Sequence, residues 1–329
     1  MVGKGVKVML KVGVPETIDR ALHASLPMDV RVEVLTEEMT GPVDVDFWVV
    51  PPYQKAAEAM WRNLRGVRVA QSTLAGVDWL MRLTPGEVTV CDARGVHDIS
   101  TAEWVVATTL AMVKYLPFYG GVQRAGEWKR RFEASGLYNR IHGAEREFYP
   151  PVMVEDLHGK RVLIVGYGSI GSMIERMMQP FGVTVDRIAR TAREGVRTLD
   201  ALPELLPLAD VVVLIVPLTG ETRGMIGAEE LGMMKHGALL VNAARGPVVD
   251  TDALLAALHA GRVRAALDVT DPEPLPDGHA LWSAPNALIT PHVAGSSPGF
   301  MPRAMELAGE QVRRMQRGEA LINVVTGDY

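Results

Sequence analysis

The 329-residue chain has a single cysteine, Cys91. An internal disulfide and a cysteine zinc cluster are therefore both excluded, and the composition fits a reducing, cytoplasmic setting. Cys91 follows the apolar run Val88-Thr-Val90 and reads as a small buried residue rather than a nucleophile. Basic charge is also scarce. The formal net charge is −5, so there is no positive field for nucleic acid. No apolar run is long enough to span a bilayer, and Met1-Val-Gly-Lys-Gly-Val-Lys7 has no signal-peptide core behind it. What remains, at 48% hydrophobic and 22% charged residues, is the composition of a globular protein long enough for two domains.

The most informative stretch is Arg161-Val-Leu-Ile-Val-Gly-Tyr-Gly-Ser-Ile-Gly171. Val162 to Val165 reads as a strand buried on both faces, and Gly166, Gly168 and Gly171 fit G-x-G-x-x-G before the amphipathic segment 173–181. The first glycine permits the turn, the second lets backbone approach a pyrophosphate, and the third lets helix pack on strand. The helix N-terminus then offers N–H groups to phosphate.

Strands alternate with helices on both sides of this stretch, which predicts an α/β fold of two doubly wound parallel-sheet domains. In the first hundred residues, strands are expected at 6–12, 30–35, 47–50, 67–70 and 88–91, and helices at 15–22, 54–64 and 77–83. That region lacks a G-x-G-x-x-G and suits a substrate domain. A long helix follows, capped by Ser100 or Thr101 and ended by Pro117 and Gly120-Gly121. It is apolar nearly all round and is expected between domains or subunits. Residues 123–151 show no clear period and carry Trp128, Phe132, Tyr138, Phe148 and Tyr149, as an arm docking on a partner subunit would. Beyond Gly171, strands are expected at 183–188, 211–216, 238–242, 264–269 and 287–290, and helices at 199–208, 228–235, 252–260 and 301–317.

Ligands of such sheets sit beyond the carboxyl ends of the strands. Those ends carry Arg245, Glu273 and His292, with Asp268 closing one strand. A guanidinium can clamp a carboxylate and polarise the neighbouring carbonyl. A histidine can exchange the alcohol proton, and a carboxylate beside it favours the imidazolium. Singly, Arg245 could pair with Asp250, Glu273 could be a solvated charge and His292 a turn residue. Together they suit hydride chemistry on a 2-oxo acid.

The chain resembles the D-isomer-specific 2-hydroxyacid dehydrogenase family over nearly its whole length. The resemblance is carried by Val165-Gly-Tyr-Gly-Ser-Ile-Gly171, Val216-Pro-Leu-Thr-Gly-Glu-Thr222 and Leu240-Val-Asn-Ala-Ala-Arg-Gly-Pro-Val-Val-Asp250. Ala266-Leu-Asp-Val-Thr-Asp-Pro-Glu-Pro274 and Asn286-Ala-Leu-Ile-Thr-Pro-His292 complete it. It implies a Rossmann cofactor domain, residues 99–293, inserted into a discontinuous flavodoxin-like substrate domain, residues 1–98 and 294–329, with a dimerisation helix and arm at about 99–151. It implies Arg245 as substrate clamp, His292 as acid/base and Glu273 as its partner. Leu74, Ala75 and Gly76 would hold the substrate carboxylate through backbone N–H groups. The cofactor contacts it implies are Gly166, Gly168, Ser169, Ile170, Gly171, Thr101, Pro217, Thr222, Ala243, Ala244 and Asp268, the last near the nicotinamide. A homodimer is expected, with neither metal, nucleic acid nor membrane.

One departure bears on the cofactor. An NAD enzyme of this type needs an acid about 18 residues past the last glycine, at the end of the next strand, for the ribose hydroxyls. Ala189 stands there, followed by Arg190-Thr191-Ala-Arg193, while Asp186 falls inside the strand. This predicts NADP(H) as the preferred cofactor, with NAD(H) possible. Ala75 replaces the lysine of phosphite dehydrogenases, and Glu273 the glutamine of formate dehydrogenases. A glyoxylate or hydroxypyruvate reductase is the nearest type. The alternatives are a D-3-phosphoglycerate-type dehydrogenase and a dinucleotide-sensing binding protein of the corepressor type. Tyr53, Trp79 and Trp282 either border the pocket or pack in the core.

Overall fold

The computed structural model describes residues 9–144 and 149–326. The chain divides into two compact units, residues 1–97 with 296–329, and residues 98–295.

The first unit holds five parallel strands: β1 (Lys11–Pro15), β2 (Arg31–Leu35), β3 (Phe47–Val50), β4 (Val69–Ser72) and β5 (Thr89–Cys91). Their order is β2-β1-β3-β4-β5, the flavodoxin-like arrangement. Alternate residues feed two cores. Trp48, Val50, Ala70 and Val90 face α1 (Gln54–Trp61) and α2 (Asp78–Leu83), whereas Phe47, Val49, Val69 and Cys91 face the other way. Of the strand expected at 6–12, residues 6–8 lie outside the described residues. The helix expected at 15–22 is a 3-10 turn at Arg20–Ser25, because Pro15 closes β1 and the turn begins only once Asp19 accepts from Ala21 N–H at 2.9 Å.

The second unit opens with α3 (Asp98–Val113), α4 (Leu116–Ala125) and α5 (Glu133–His142). Here the sequence expectations need correction. Ser100 and Thr101 do not cap α3 but lie buried inside it, and Asp98 supplies the acidic charge of its first turn. Pro117 and Gly120-Gly121 do not end the helix either. Tyr115, at φ 53°, breaks it, and Pro117 sits in the first turn of α4. On one face of α3, Ala102, Val105 and Met112 pack on the sheet of their own unit. Residues 123–144 are largely helical rather than an irregular arm. Ala134, Leu137, Tyr138 and Ile141 cluster with Tyr115, Phe118 and Tyr119, while glycine ends at Gly126 and Gly143 cut the helices too short for a visible period. Trp128, Phe132 and Tyr149 are exposed, and Phe148 lies outside the described residues. Among the described residues no single helix is long and apolar enough to cross a membrane.

The sheet follows, with β6 (Arg161–Val165), β7 (Thr184–Ile188), β8 (Val211–Leu214), β9 (Ala238–Asn242), β10 (Val263–Leu267) and β11 (Ala287–Ile289). All pairings are parallel, in the order β11-β10-β9-β8-β6-β7, and Arg197 adds a single parallel bridge to Ile188 beyond β7. Val162 and Ile164 face α3 and α6 (Ser169–Met178), whereas Leu163 and Val165 face the opposite core. That double burial explains the uninterrupted apolar runs. The helix expected at 199–208 is one α-turn between two 3-10 turns, interrupted by Pro203 and Pro207. Two more helices complete this unit, α7 (Ala228–Met233) and α8 (Thr251–His259). α9 (Phe300–Arg317) belongs to the first unit, where Val325 N–H bonds to Val90 O at 2.9 Å.

Candidate active site

The order of strands reverses between β6 and β8, and there the glycine turn leaves the sheet. Gly166 has φ +108°, and a Cβ on it would meet Ile215 O at 2.3 Å. A Cβ on Gly171 would meet Gly166 O at 2.7 Å, which accounts for the third glycine as helix packing. Gly168 differs, since a Cβ there would meet no atom within 4 Å. Protein packing does not demand that glycine, and the open space there leaves room for close approach of a ligand. α6 starts at Ser169 with no side-chain cap, so the N–H groups of its first turn remain for an external acceptor. Ser169 Oγ donates to Asp98 Oδ1 at 3.1 Å, and Ile170 is partly buried against the α3 side of the sheet. The residues present fit a dinucleotide pyrophosphate.

At the end of β7, Arg190, Thr191 and Arg193 are exposed. Asp186, the rival acid for NAD, is engaged by Arg161 through two hydrogen bonds, one of 3.0 Å. Arg193 turns back, donating to Tyr167 O beside the first glycine.

The other half of the sheet edge holds Arg245, Glu273 and His292. Beyond β9, the amide of Asn242 braces the turn, accepting from Ala244 N–H at 3.0 Å and donating to Arg245 O at 3.1 Å. Ala243 N–H is engaged by Leu214 O. A Cβ on Gly246 would lie 1.9 Å from Thr270 O, so the loop bearing Arg245 touches the loop bearing Glu273 backbone to backbone. Asp250 caps α8 through Ala253 N–H and does not pair with Arg245. Arg245, half-buried, donates to Ala244 O at 2.7 Å.

His292 Nδ1 lies 2.5 Å from Glu273 Oε1. The hydrogen bond to His292 holds the Glu273 carboxyl below its ordinary value against the opposing effect of partial burial. The same bond raises His292 above the ordinary imidazole, while burial and the nearby Arg245 charge act against it. Arg245, Glu273 and His292 thus form one electrostatic cluster, with Nδ1 fixed on the carboxylate and Nε2 left for a proton.

Asp268 takes a place that the sequence does not announce. It is 3% exposed, and its carboxylate accepts from Thr290 Oγ1 at 2.6 Å and from the N–H groups of Val293 and Ala294 at 2.9 Å each. Its carbonyl accepts from His292 N–H at 2.7 Å. Its side chain clamps the turn that holds His292 at φ 53°. Thr222 is likewise buried, and its hydroxyl closes its own loop onto Pro217 O at 2.6 Å.

In the first unit, Leu74 N–H is engaged by Ser72 Oγ at 2.9 Å, and Leu74 O accepts from Ala93 N–H. Leu74 therefore orders the loop of residues 74–76. Trp79 packs in the core, Tyr53 is exposed, and the indole of Trp282 donates to Pro276 O at 3.0 Å. Cys91 is buried, and burial together with Asp92 pushes its thiol up to about 12.

A family model described as "D-isomer specific 2-hydroxyacid dehydrogenase, NAD binding domain" matches residues 106–294. The chain is 33% identical over 297 residues to a glyoxylate reductase of Thermococcus gammatolerans, covering 87% of this chain and 84% of that protein. It is 30% identical over 330 residues to a D-3-phosphoglycerate dehydrogenase of Methanocaldococcus jannaschii, covering 97% of this chain but 59% of that protein. A solved structure of a D-isomer specific 2-hydroxyacid dehydrogenase from Xanthobacter autotrophicus, in complex with NADPH and MES, is similar at TM-score 0.77 and 29% identity. That match covers 97% of this chain and 98% of the other.

Proposed function

Because the chain belongs to the D-isomer-specific 2-hydroxyacid dehydrogenase family, we propose that it reduces a small 2-oxo acid, glyoxylate or hydroxypyruvate in type, to the D-2-hydroxy acid with NADPH. The observation that carries this reading is the cluster of Arg245, Glu273 and His292 at the ends of three neighbouring strands. Arg245 binds the substrate carboxylate and draws electron density from the adjacent carbonyl. His292, protonated through its Glu273 partner, gives its Nε2 proton to the carbonyl oxygen and takes it back in the reverse direction. Glu273 fixes the ring and stabilises the imidazolium. When bound, the reduced nicotinamide supplies the hydride. Arg190, Thr191 and Arg193, together with the absence of an acid at the end of β7, support the phosphorylated cofactor, and the NADPH complex of the Xanthobacter relative agrees.

The test is consumption of NADPH and of NADH, followed by the absorbance of the reduced nicotinamide, across 2-oxo acids from glyoxylate to phenylpyruvate. Turnover with a small acid and an NADPH preference is expected. Equal rates with both cofactors at low concentration would overturn the preference. Turnover confined to 3-phosphohydroxypyruvate would favour the activity of the Methanocaldococcus relative. Tight dinucleotide binding without turnover on any acid would favour a dinucleotide-sensing binding protein.

A further inference from the structure

Tyr167, the residue between the first two glycines, is held from several directions. Its hydroxyl donates to Glu175 on α6, a carboxylate only 5% exposed as a residue. Arg187 on β7 donates to both oxygens of Glu175, one at 2.7 Å, and its guanidinium carbon lies 5.5 Å from the centre of the Tyr167 ring. Arg187 also reaches Gly195 O at 3.5 Å, joining this network to the turn beyond β7. That turn is closed by reciprocal backbone bonds between Arg193 and Val196, of 3.1 and 2.8 Å. From it Arg193 returns to the glycine turn. Its guanidinium carbon lies 5.6 Å from the same ring, and its Nη2 donates to Tyr167 O.

The two arginines differ in one respect. Arg187 is neutralised by Glu175, so its charge is already matched. Arg193 and Arg190 have no carboxylate within ion-pairing distance among the described residues. An exposed arginine ordinarily samples many rotamers, and fixing it on an anion carries an entropic cost. Stacking on an aromatic ring that is itself anchored removes much of that cost in advance. The chemistry this favours is a phosphate monoester close to the pyrophosphate turn, where a planar guanidinium can donate twice.

We propose that Tyr167 is a positioning residue for recognition of the ribose 2′-phosphate: its anchored ring and its carbonyl hold Arg193 beside the glycine turn, so that the preference for a phosphorylated adenosine is set by the two residues together. The proposal rests on the NADPH reading above and adds to it a residue that touches no phosphate.

The experiment needs neither substrate nor turnover. Adenosine 2′,5′-bisphosphate and AMP are titrated calorimetrically into the full chain, with thermal unfolding recorded for each variant. The unsubstituted protein is expected to bind the bisphosphate at least about tenfold more tightly than AMP, and Arg193→Ala to abolish the difference. Tyr167→Leu should weaken the bisphosphate about five- to tenfold while AMP changes less than about twofold. Tyr167→Phe, which keeps ring and carbonyl, should retain most of the discrimination. The double variant should lose no more than Arg193→Ala alone. If Tyr167→Leu does not fold, Arg193→Lys replaces it: the charge remains but the planar stack is gone, so discrimination should fall nearly to the alanine level. Equal weakening of both nucleotides by Tyr167→Leu, additive losses in the double variant, or full discrimination in Arg193→Lys each overturns the proposal. If the unsubstituted protein binds both nucleotides alike, the NADPH reading falls with it. If Arg193→Ala abolishes the preference and Tyr167→Leu does not, only the role of Tyr167 falls.

Discussion

The two halves of one sheet edge are built on different terms. At the ends of β9, β10 and β11, the side chains proposed for chemistry are held by buried backbone and buried acceptors: Asn242 under Arg245, Asp268 under the His292 turn, Gly246 against Thr270. At the ends of β6 and β7, the groups proposed for the adenosine are exposed and are held by other side chains, through an ion pair and an aromatic ring. A proton transfer is sensitive to displacements of well under an ångström, so its groups are fixed from the protein interior. Recognition of a phosphate tolerates more movement and can be governed from the surface.

The comparison can be broken most strongly at Arg245. Arg245→Ala should lower kcat/KM for the 2-oxo acid about a thousandfold, through loss of a charge-assisted clamp, while the dissociation constant of the dinucleotide stays within about twofold. Steady-state kinetics and cofactor titration check it, and an unchanged kcat/KM would remove Arg245 from the site. His292→Ala comes next, with a loss of about a hundred- to ten-thousandfold in turnover, as for a general acid. Retention of turnover within tenfold would reassign the proton donor.

Asp268→Asn sharpens the comparison, because it alters the support and leaves the reacting groups in place. One oxygen now serves where two accepted from three donors, and a buried N–H loses its partner at about 1–3 kcal/mol. Both the melting temperature and kcat should fall, with cofactor affinity little changed. An unchanged kcat would show that the His292 turn does not depend on this clamp.

The smallest expected effect is a displacement rather than a loss. His292 is raised by its bond to Glu273, so it keeps its proton to a pH above the ordinary imidazole range. Reduction needs the protonated form and should decline as pH rises through that raised value, whereas oxidation of the hydroxy acid should gain there. Glu273→Gln removes the raising charge, and the alkaline limb of the reduction profile should move to lower pH, accompanied by a fall in turnover of about tenfold. A limb that stays in place would mean that another group sets it.

The sequence made the doubly wound sheets legible because most of their strands are short apolar runs, some of them followed by a polar residue. Arg245, Glu273 and His292 could be picked out for the same reason, as polar residues at carboxyl ends. Their supports could not. Asp268 works through backbone N–H groups 25 and 26 residues away, and no spacing rule points from an acid to those donors. Tyr167 was hidden inside a motif whose glycines draw the attention, and its partners Glu175 and Arg187 lie on the next helix and strand. The helical character of 123–144 was masked by glycine ends, and the start of α3 by two hydroxyl residues that resemble caps but are buried. In each case tertiary packing supplied information that local pattern lacks.

The contact between Gly246 and Thr270 has a consequence for how such a protein changes over evolutionary time. No room exists at that crossing for even a methyl group, so the loops bearing Arg245 and Glu273 are locked to one another and drift in neither can occur alone. New substrate tastes would have to be acquired elsewhere along the chain. The reaction becomes the inherited part of the molecule, and the diet the part open to revision.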